Sequence, residues 1–297
     1  MIDKLDFLLA LAREKHFGRA AESCGVTQPT LSAGIKQLEE TLGVLLVNRG
    51  SRFQSFTTEG ERVLDWARRI VGDSRAMRQE INAIRHGLTG RLRIAAIPTT
   101  LGMVASLTTP FRMRHPNVQF TILSRTSVEV LAELENLEID AGITYLDNEP
   151  LGKVNTVPLY RERYRLLTSA EAPLGERDSV TWAEVAEVPL CLLTPDMQNR
   201  RIIDRLLNRG GAESRPMLES DSMILLFSHV RTGHWASVMP AKLAETLGLT
   251  ETLRSIPITE PDEVHTIGLV VPEREPMTPL TAALVAEAQR VAPTLVD

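Results

Sequence analysis

Cysteine is scarce: the 297 residues hold two, Cys24 and Cys191, and neither belongs to a CxxC motif or a Cys/His cluster. That leaves no disulfide framework and no zinc site to build, and it points to reduced thiols in a cytoplasmic protein. Long hydrophobic runs are also missing. The stretch "FLLALA" is far too short to span a bilayer, and Asp3 and Asp6 stand where a secretory leader would be basic, so no membrane partner is expected. There is no GxSxG, no GxxxxGK(S/T), no HExxH and no GxGxxG. The six histidines, His16, His86, His115, His229, His234 and His265, never recur at a metal-ligand spacing. No metal, no cofactor and no catalytic constellation is therefore expected, and the histidines read as solvated or structural residues.

Acidity is what the chain has in excess, with a formal charge of −5, but it is unevenly spread. Residues 1–93 hold 15 Lys and Arg against 11 Asp and Glu, and the remaining residues hold 18 against 27. The N-terminal third is mildly basic, which permits a polyanionic partner.

That third reads as a string of short helices. Phe7, Leu8, Leu11 and Ala12 give a helical face over 3–15, and "FGRAAESC" reads as a second helix ended by Gly25. Thr27 is placed to cap a third helix that carries Pro29 in its first turn. Leu31, Ile35, Leu38 and Leu42 then form its buried stripe. The opposite face is small and polar: Pro29, Ala33 and Lys36, flanked by Thr30, Ser32 and Gln37. Such a face can approach base edges and thymine methyls in a major groove, although it equally suits a solvated helix. "LGVLLVNRGSRFQSFTTEG" follows as two short strands about a turn at 49–52, with Arg49 and Arg52 at the tip of a wing.

Thr58 and Glu61 have the spacing of a capping box, and a long helix follows. Val63, Ala67, Ile70, Ser74, Met77, Ile81, Ile84 and Leu88 alternate at four and three residues, a heptad seam suited to pairing two chains; packing within one chain is the alternative. Paired readers match two half-sites on a duplex.

Beyond Gly90 apolar strand candidates, "LRIAAIP", "FTILS", "IDAGIT", "YRLLTS", "PLCLLT", "ASVMP" and "TIGLVV", alternate with amphipathic helices such as "VASLTTPFRMRHP" and "NRRIIDRLLNRGG". The alternation implies parallel α/β sheets in two lobes with a cleft between them. Small ligands bind such folds at strand C-terminal ends, beside helix N-termini. Pro98, Thr99 and Thr100 form the first such end, Thr126 and Ser127 the second, and Thr194, Gln198 and Asn199 open a helix in the other lobe. Singly each fits a plain helix cap; their recurrence favours a cleft for a small polar or anionic ligand.

"FGRAAESCGVTQPTLSAGIKQLEETLGVLLVNRGSRFQSFTTEG" resembles the LysR-type transcriptional regulators, following the pattern AA…VTQPxLSxxIxxLExxLGxxLxxR…T…G, and the resemblance extends over essentially the whole chain. It implies a mainly α winged helix-turn-helix domain (1–58), a linker and dimerisation helix (59–87), and a two-lobed α/β effector domain like periplasmic binding proteins (91–297). Lobe I would take 91–161 and 267–297, and lobe II 162–266. It also implies a homodimer or dimer of dimers that bends double-stranded promoter DNA, switched by a small-molecule co-inducer. Thr27, Gln28, Pro29 and Ser32 would lie at the groove, Lys36 near phosphate and Arg52 in the minor groove. Thr99, Thr100, Thr126 and Ser127 would hold effector. Two departures stand out: Ala33 and Gly34 follow Ser32 where the family often has a basic residue, and Val47 replaces a frequent phenylalanine. The stretch "LENLEIDAGITYLDNEPLG" further resembles regulators found beside formate dehydrogenase operons. The competing reading is a cytoplasmic small-molecule-binding protein or an α/β enzyme with a helical dimerisation segment.

Overall fold

A computed structural model describes residues 1–49, 53–213, 215–248 and 252–295. The chain divides into two compact units, the first built on residues 1–87 and the second on most of the remainder.

In the first unit α1 (Ile2–Glu14), α2 (Phe17–Ser23) and α3 (Gln28–Leu42) enclose one core; β1 (Val47–Arg49), β2 (Phe53–Phe56) and α4 (Thr58–His86) follow. Leu8, Leu11, Leu31, Ile35 and Leu38 fill the centre of that core. The expected stripe on α3 loses its last member, since Leu42 sits on the final turn and is exposed. Gly43 ends the helix in the left-handed conformation at φ 71°. The two short strands pair antiparallel, Val47 opposite Phe56.

The cap of α4 is Thr57, one residue before the position expected. Its hydroxyl accepts from Gly60 N at 2.9 Å and donates to Leu45 O at 2.7 Å. Gly60 is where helix and wing touch: a Cβ there would stand 2.1 Å from Leu46 O. The first half of α4 buries Leu64, Ala67 and Val71 in the core of its own unit. This corrects the seam assignment for Ala67, which is 0% exposed, and for Val63, which packs partly buried against the same core. Ile70, Met77, Ile81 and Ile84 do remain exposed, and Trp66 joins them.

The second unit runs β3 (Gly90–Ala96), α5 (Val104–Arg114), β4 (Val118–Ser124), α6 (Ser127–Glu135), β5 (Ala141–Tyr145), β6 (Val154–Glu162), β7 (Tyr164–Ser169), β8 (Val180–Thr181) and α7 (Trp182–Ala186). It continues with β9 (Cys191–Leu193), α8 (Gln198–Arg209), β10 (Leu218–Ser220), α9 (Met223–Val230), β11 (Ser237–Pro240), α10 (Ala241–Thr246), β12 (Leu253–Thr259), β13 (His265–Pro272) and α11 (Pro279–Val291).

One sheet has the order β4-β3-β5-β13-β6, the other β11-β7-β12-β8. A two-stranded ladder, β9 with β10, is linked to β11 by a bridge between Leu190 and Ala236. The sheets are mixed rather than parallel throughout. β3 runs parallel to β4 and β5, but β13 is antiparallel to β5 and β6, and β7 is antiparallel to β11 and β12. The reason is the connections. Arg163 alone separates β6 from β7, and five residues separate β12 from β13, so the chain steps directly from one sheet to the other instead of through a crossover helix. The helix α6 lies tight on the first sheet, where a Cβ on Gly142 would stand 2.3 Å from Val130 Cγ1. Among the described residues no helix is long and apolar enough to cross a membrane.

Candidate nucleic-acid interface and effector cleft

The reader face forms at the start of α3. Thr27 caps it, its hydroxyl accepting from Thr30 N at 3.4 Å and lying 2.9 Å from the Thr30 hydroxyl. Thr27, Gln28, Pro29, Thr30, Ala33 and Lys36 are exposed and Ser32 is half-buried, directly opposite the buried Leu31, Ile35 and Leu38. Small side chains leave the backbone there able to approach a surface closely, with Lys36 as the single cation (it lies 3.9 Å from the Glu40 carboxylate). Arg49 closes β1; Arg52 lies outside the described residues.

A residue towards the C-terminus of α3 holds the wing. Glu39 is buried, and its Oε1 accepts from Leu46 N at 2.9 Å and Val47 N at 3.2 Å. Two backbone donors at the start of β1 are thereby satisfied by the reader helix itself. The signal was a carboxylate one residue after the buried Leu38, on the edge of the apolar stripe.

In the second unit the expected effector residues follow the C-terminal ends of adjacent strands. Pro98, Thr99 and Thr100 are buried after β3. Thr100 already donates its hydroxyl proton to Ile97 O at 3.0 Å, whereas Thr99 Oγ1 is buried with no hydrogen-bond partner. Thr144, near the end of β5, is the same. Thr126 is a helix cap: its hydroxyl accepts from Glu129 N, and its N–H donates to the Glu129 carboxylate at 2.8 Å. The plain-cap alternative accounts for this residue. Ser127 is buried and reaches Glu149 and Arg201. Thr194 is half-buried after β9.

Gln198 and Asn199 are buried and face inward. Gln198 donates to Asp147 O at 3.3 Å. Asn199 donates to the Tyr145 and Tyr164 hydroxyls, which lie 2.9 Å from each other. Tyr145 in turn donates to Glu162 at 2.6 Å. This buried cluster sits where β6 hands over to β7. Burial pushes the Glu162 carboxyl up to about 8, opposed by its hydrogen bond from Tyr145. Burial also raises both tyrosines and lowers His265, whose ring stands at right angles to Tyr145. Asn199 therefore braces the interior, and a histidine that looked structural is part of that brace.

Residues 85–293 match the LysR substrate binding domain, and residues 2–61 match the bacterial regulatory helix-turn-helix protein of the lysR family. The chain belongs to the LysR family. It is a DNA-binding transcriptional regulator with an effector-binding domain, not an enzyme. Similar proteins include the hydrogen peroxide-inducible genes activator of Escherichia coli O6:H1, 28% identical over 277 residues, covering 93% of this chain and 90% of that protein. Among solved structures, a full-length OxyR variant from Pseudomonas aeruginosa is 25% identical with a TM-score of 0.75, covering 98% of this chain and 99% of that one. Full-length CbnR complexed with its target DNA shares the fold at 20% identity and a TM-score of 0.61, covering 98% of this chain and 100% of that one.

Proposed function

We propose that the start of α3, through Thr27, Gln28, Pro29, Thr30 and Ser32, reads promoter DNA in the major groove, with Lys36, Arg49 and Arg52 on phosphate or in the minor groove. The observation that carries this reading is the division of α3 into a buried stripe and an exposed, small, polar face. Two chains pair along the exposed apolar residues Ile70, Met77, Ile81 and Ile84 in the second half of α4, joined by Trp66. The protein acts in the cytoplasm, and a small molecule at the strand ends around Thr99, Ser127 and Thr144 switches its grip on DNA.

The relatives named for hydrogen peroxide do not transfer their stimulus. Peroxide reacts with thiolates that are ionised and reachable. The matched effector domain holds one cysteine, Cys191, fully buried, its thiol pushed up to about 11 by burial and directed at the Leu226 and Ala236 carbonyls. A non-redox ligand fits these residues better. The narrower formate dehydrogenase reading rests on its one stretch of sequence; the named relatives carry no such description.

The test is footprinting on the DNA upstream of the protein's own gene, with and without small metabolites. Protection of a symmetric site that changes length with one metabolite supports the proposal. No protection at low salt overturns it.

A further inference from the structure

In the second unit the loop after β5 is fastened to α8 by three side chains on one helical face, Gln198, Arg201 and Arg205, spaced by three and four. Gln198 holds Asp147 O, and Arg205 donates to Asn148 Oδ1 at 2.8 Å. Arg201 takes the Glu149 carboxylate side-on: Nε to Oε1 is 2.9 Å, and Nη2 to Oε1 and Oε2 is 2.7 and 3.0 Å. Ser127 completes the arrangement. Its hydroxyl accepts from Arg201 Nη2 at 3.3 Å and donates to Glu149 Oε2 at 3.4 Å. A carboxylate of the chain itself thus occupies a fork-and-hydroxyl receptor at the end of β4, one of the places expected to take effector.

Two further observations make this a receptor rather than a brace. Thr99 and Thr144 bring buried hydroxyls without partners to the ends of β3 and β5; β3 lies between β4 and β5 in the same sheet, and Ile97 N to Ile143 O at 3.1 Å ties the two ends. Buried hydroxyls of this kind want a partner. The ion pair itself is open to solutes, with side chains 36% and 33% exposed, and pairs so exposed add little net stability.

We propose that Glu149 is a resident stand-in for the effector, and that the effector is a small carboxylate which displaces it from Arg201 and Ser127. The planar two-oxygen face of a carboxylate matches the guanidinium fork, as the Glu149 geometry already shows. Displacement removes one of the three fastenings between the loop and α8, so occupancy has a mechanical consequence. The proposal rests on the effector-switched reading above.

Propionate, which reproduces the Glu149 side chain, is the probe. It is titrated calorimetrically at constant ionic strength into the full chain and into E149Q, E149S, R201Q and the double variant E149Q/R201Q. E149Q and E149S should bind propionate about two- to fivefold more tightly than wild type, because the internal competitor is weakened or gone. R201Q and the double variant should lose binding. Equal affinity in wild type and both Glu149 variants, or binding that survives R201Q, overturns the proposal. Footprints on the upstream DNA are recorded for the same wild-type sample. Their absence sinks the DNA-reading proposal above, whereas a footprint with unchanged propionate affinities sinks only this one.

Discussion

Glu162 carries an uncharged acid at neutral pH, and its contribution to stability is lost as pH rises from 4.5 to about 8. Its carboxyl lies at about 8 in the fold against an ordinary 4.5, so between those values the folded chain holds a proton that the unfolded chain has released. Its contribution is complete below 4.5 and disappears as pH rises through 8, at no more than about 1.4 kcal/mol per pH unit. His265 acts in the opposite sense. Its lowered value makes stability fall as pH drops below its ordinary 6.5. Between about pH 7 and 8 the Glu162 effect dominates, since His265 acts below that range and the buried Cys191 thiol above it. Thermal unfolding across that range should show a falling Tm for wild type and a flatter profile for E162Q. Equal slopes would place the proton elsewhere. The cluster was not legible in the sequence, where Tyr145, Glu162, Tyr164 and His265 are separated by up to 120 positions and look ordinary, and where Asn199 reads as an effector residue instead.

At the scale of elements, the wing depends on one helix side chain. Glu39→Ala removes the acceptor for the Leu46 and Val47 N–H groups and should cost roughly 1–3 kcal/mol for each donor left buried and unpaired. Glu39→Gln keeps an acceptor and should cost less. Chemical denaturation ranks the two, and equal losses would show that the charge, not the acceptor, matters. α4 makes a sharper test, because its first half is buried in its own unit while Met77, Ile81 and Ile84 in its second half are exposed. Ile81→Glu should dissociate the paired chains in sedimentation while leaving each folded, since Ile81 is exposed in the single chain. Ala67→Glu should unfold the first unit instead, by placing a charge in its core. The reverse pattern would restore Ala67 to the seam. Here the sequence was partly readable. A period of three and four residues shows that a stripe is apolar, and it found Leu31, Ile35 and Leu38 as well as Ile81 and Ile84. It does not show what covers the stripe, and so it merged the core residues Val63 and Ala67 with the exposed ones. Strand direction was unreadable for a similar reason: "TIGLVV" has the same pattern whether its neighbours run with it or against it, and only the short link after β12 decides.

For the whole molecule the basic third and the acidic remainder divide the work. In the proposed function, a reader with modest positive charge gains its affinity from several phosphate contacts repeated across paired chains. If six phosphates are neutralised, affinity for the target duplex should fall by about 10³ between 50 and 200 mM salt. Binding by filter or fluorescence anisotropy across that range measures the slope, and a flat response would deny phosphate contact. The two ligands are bound by different parts of one chain, so effector affinity measured on the DNA complex must shift by the same factor as DNA affinity measured with effector.

The split burial of α4 has a consequence for how such a protein can change over generations. Residues near Leu64, Ala67 and Val71 are constrained by the packing of their own chain, and any exchange there is judged first by whether the chain folds. Met77, Ile81 and Ile84 are exposed in the single chain, and in the proposed pairing they answer to the second copy. Mutations can therefore alter which copies recognise one another, and insulate this regulator from related proteins in the same cell, without loosening the fold that reads DNA.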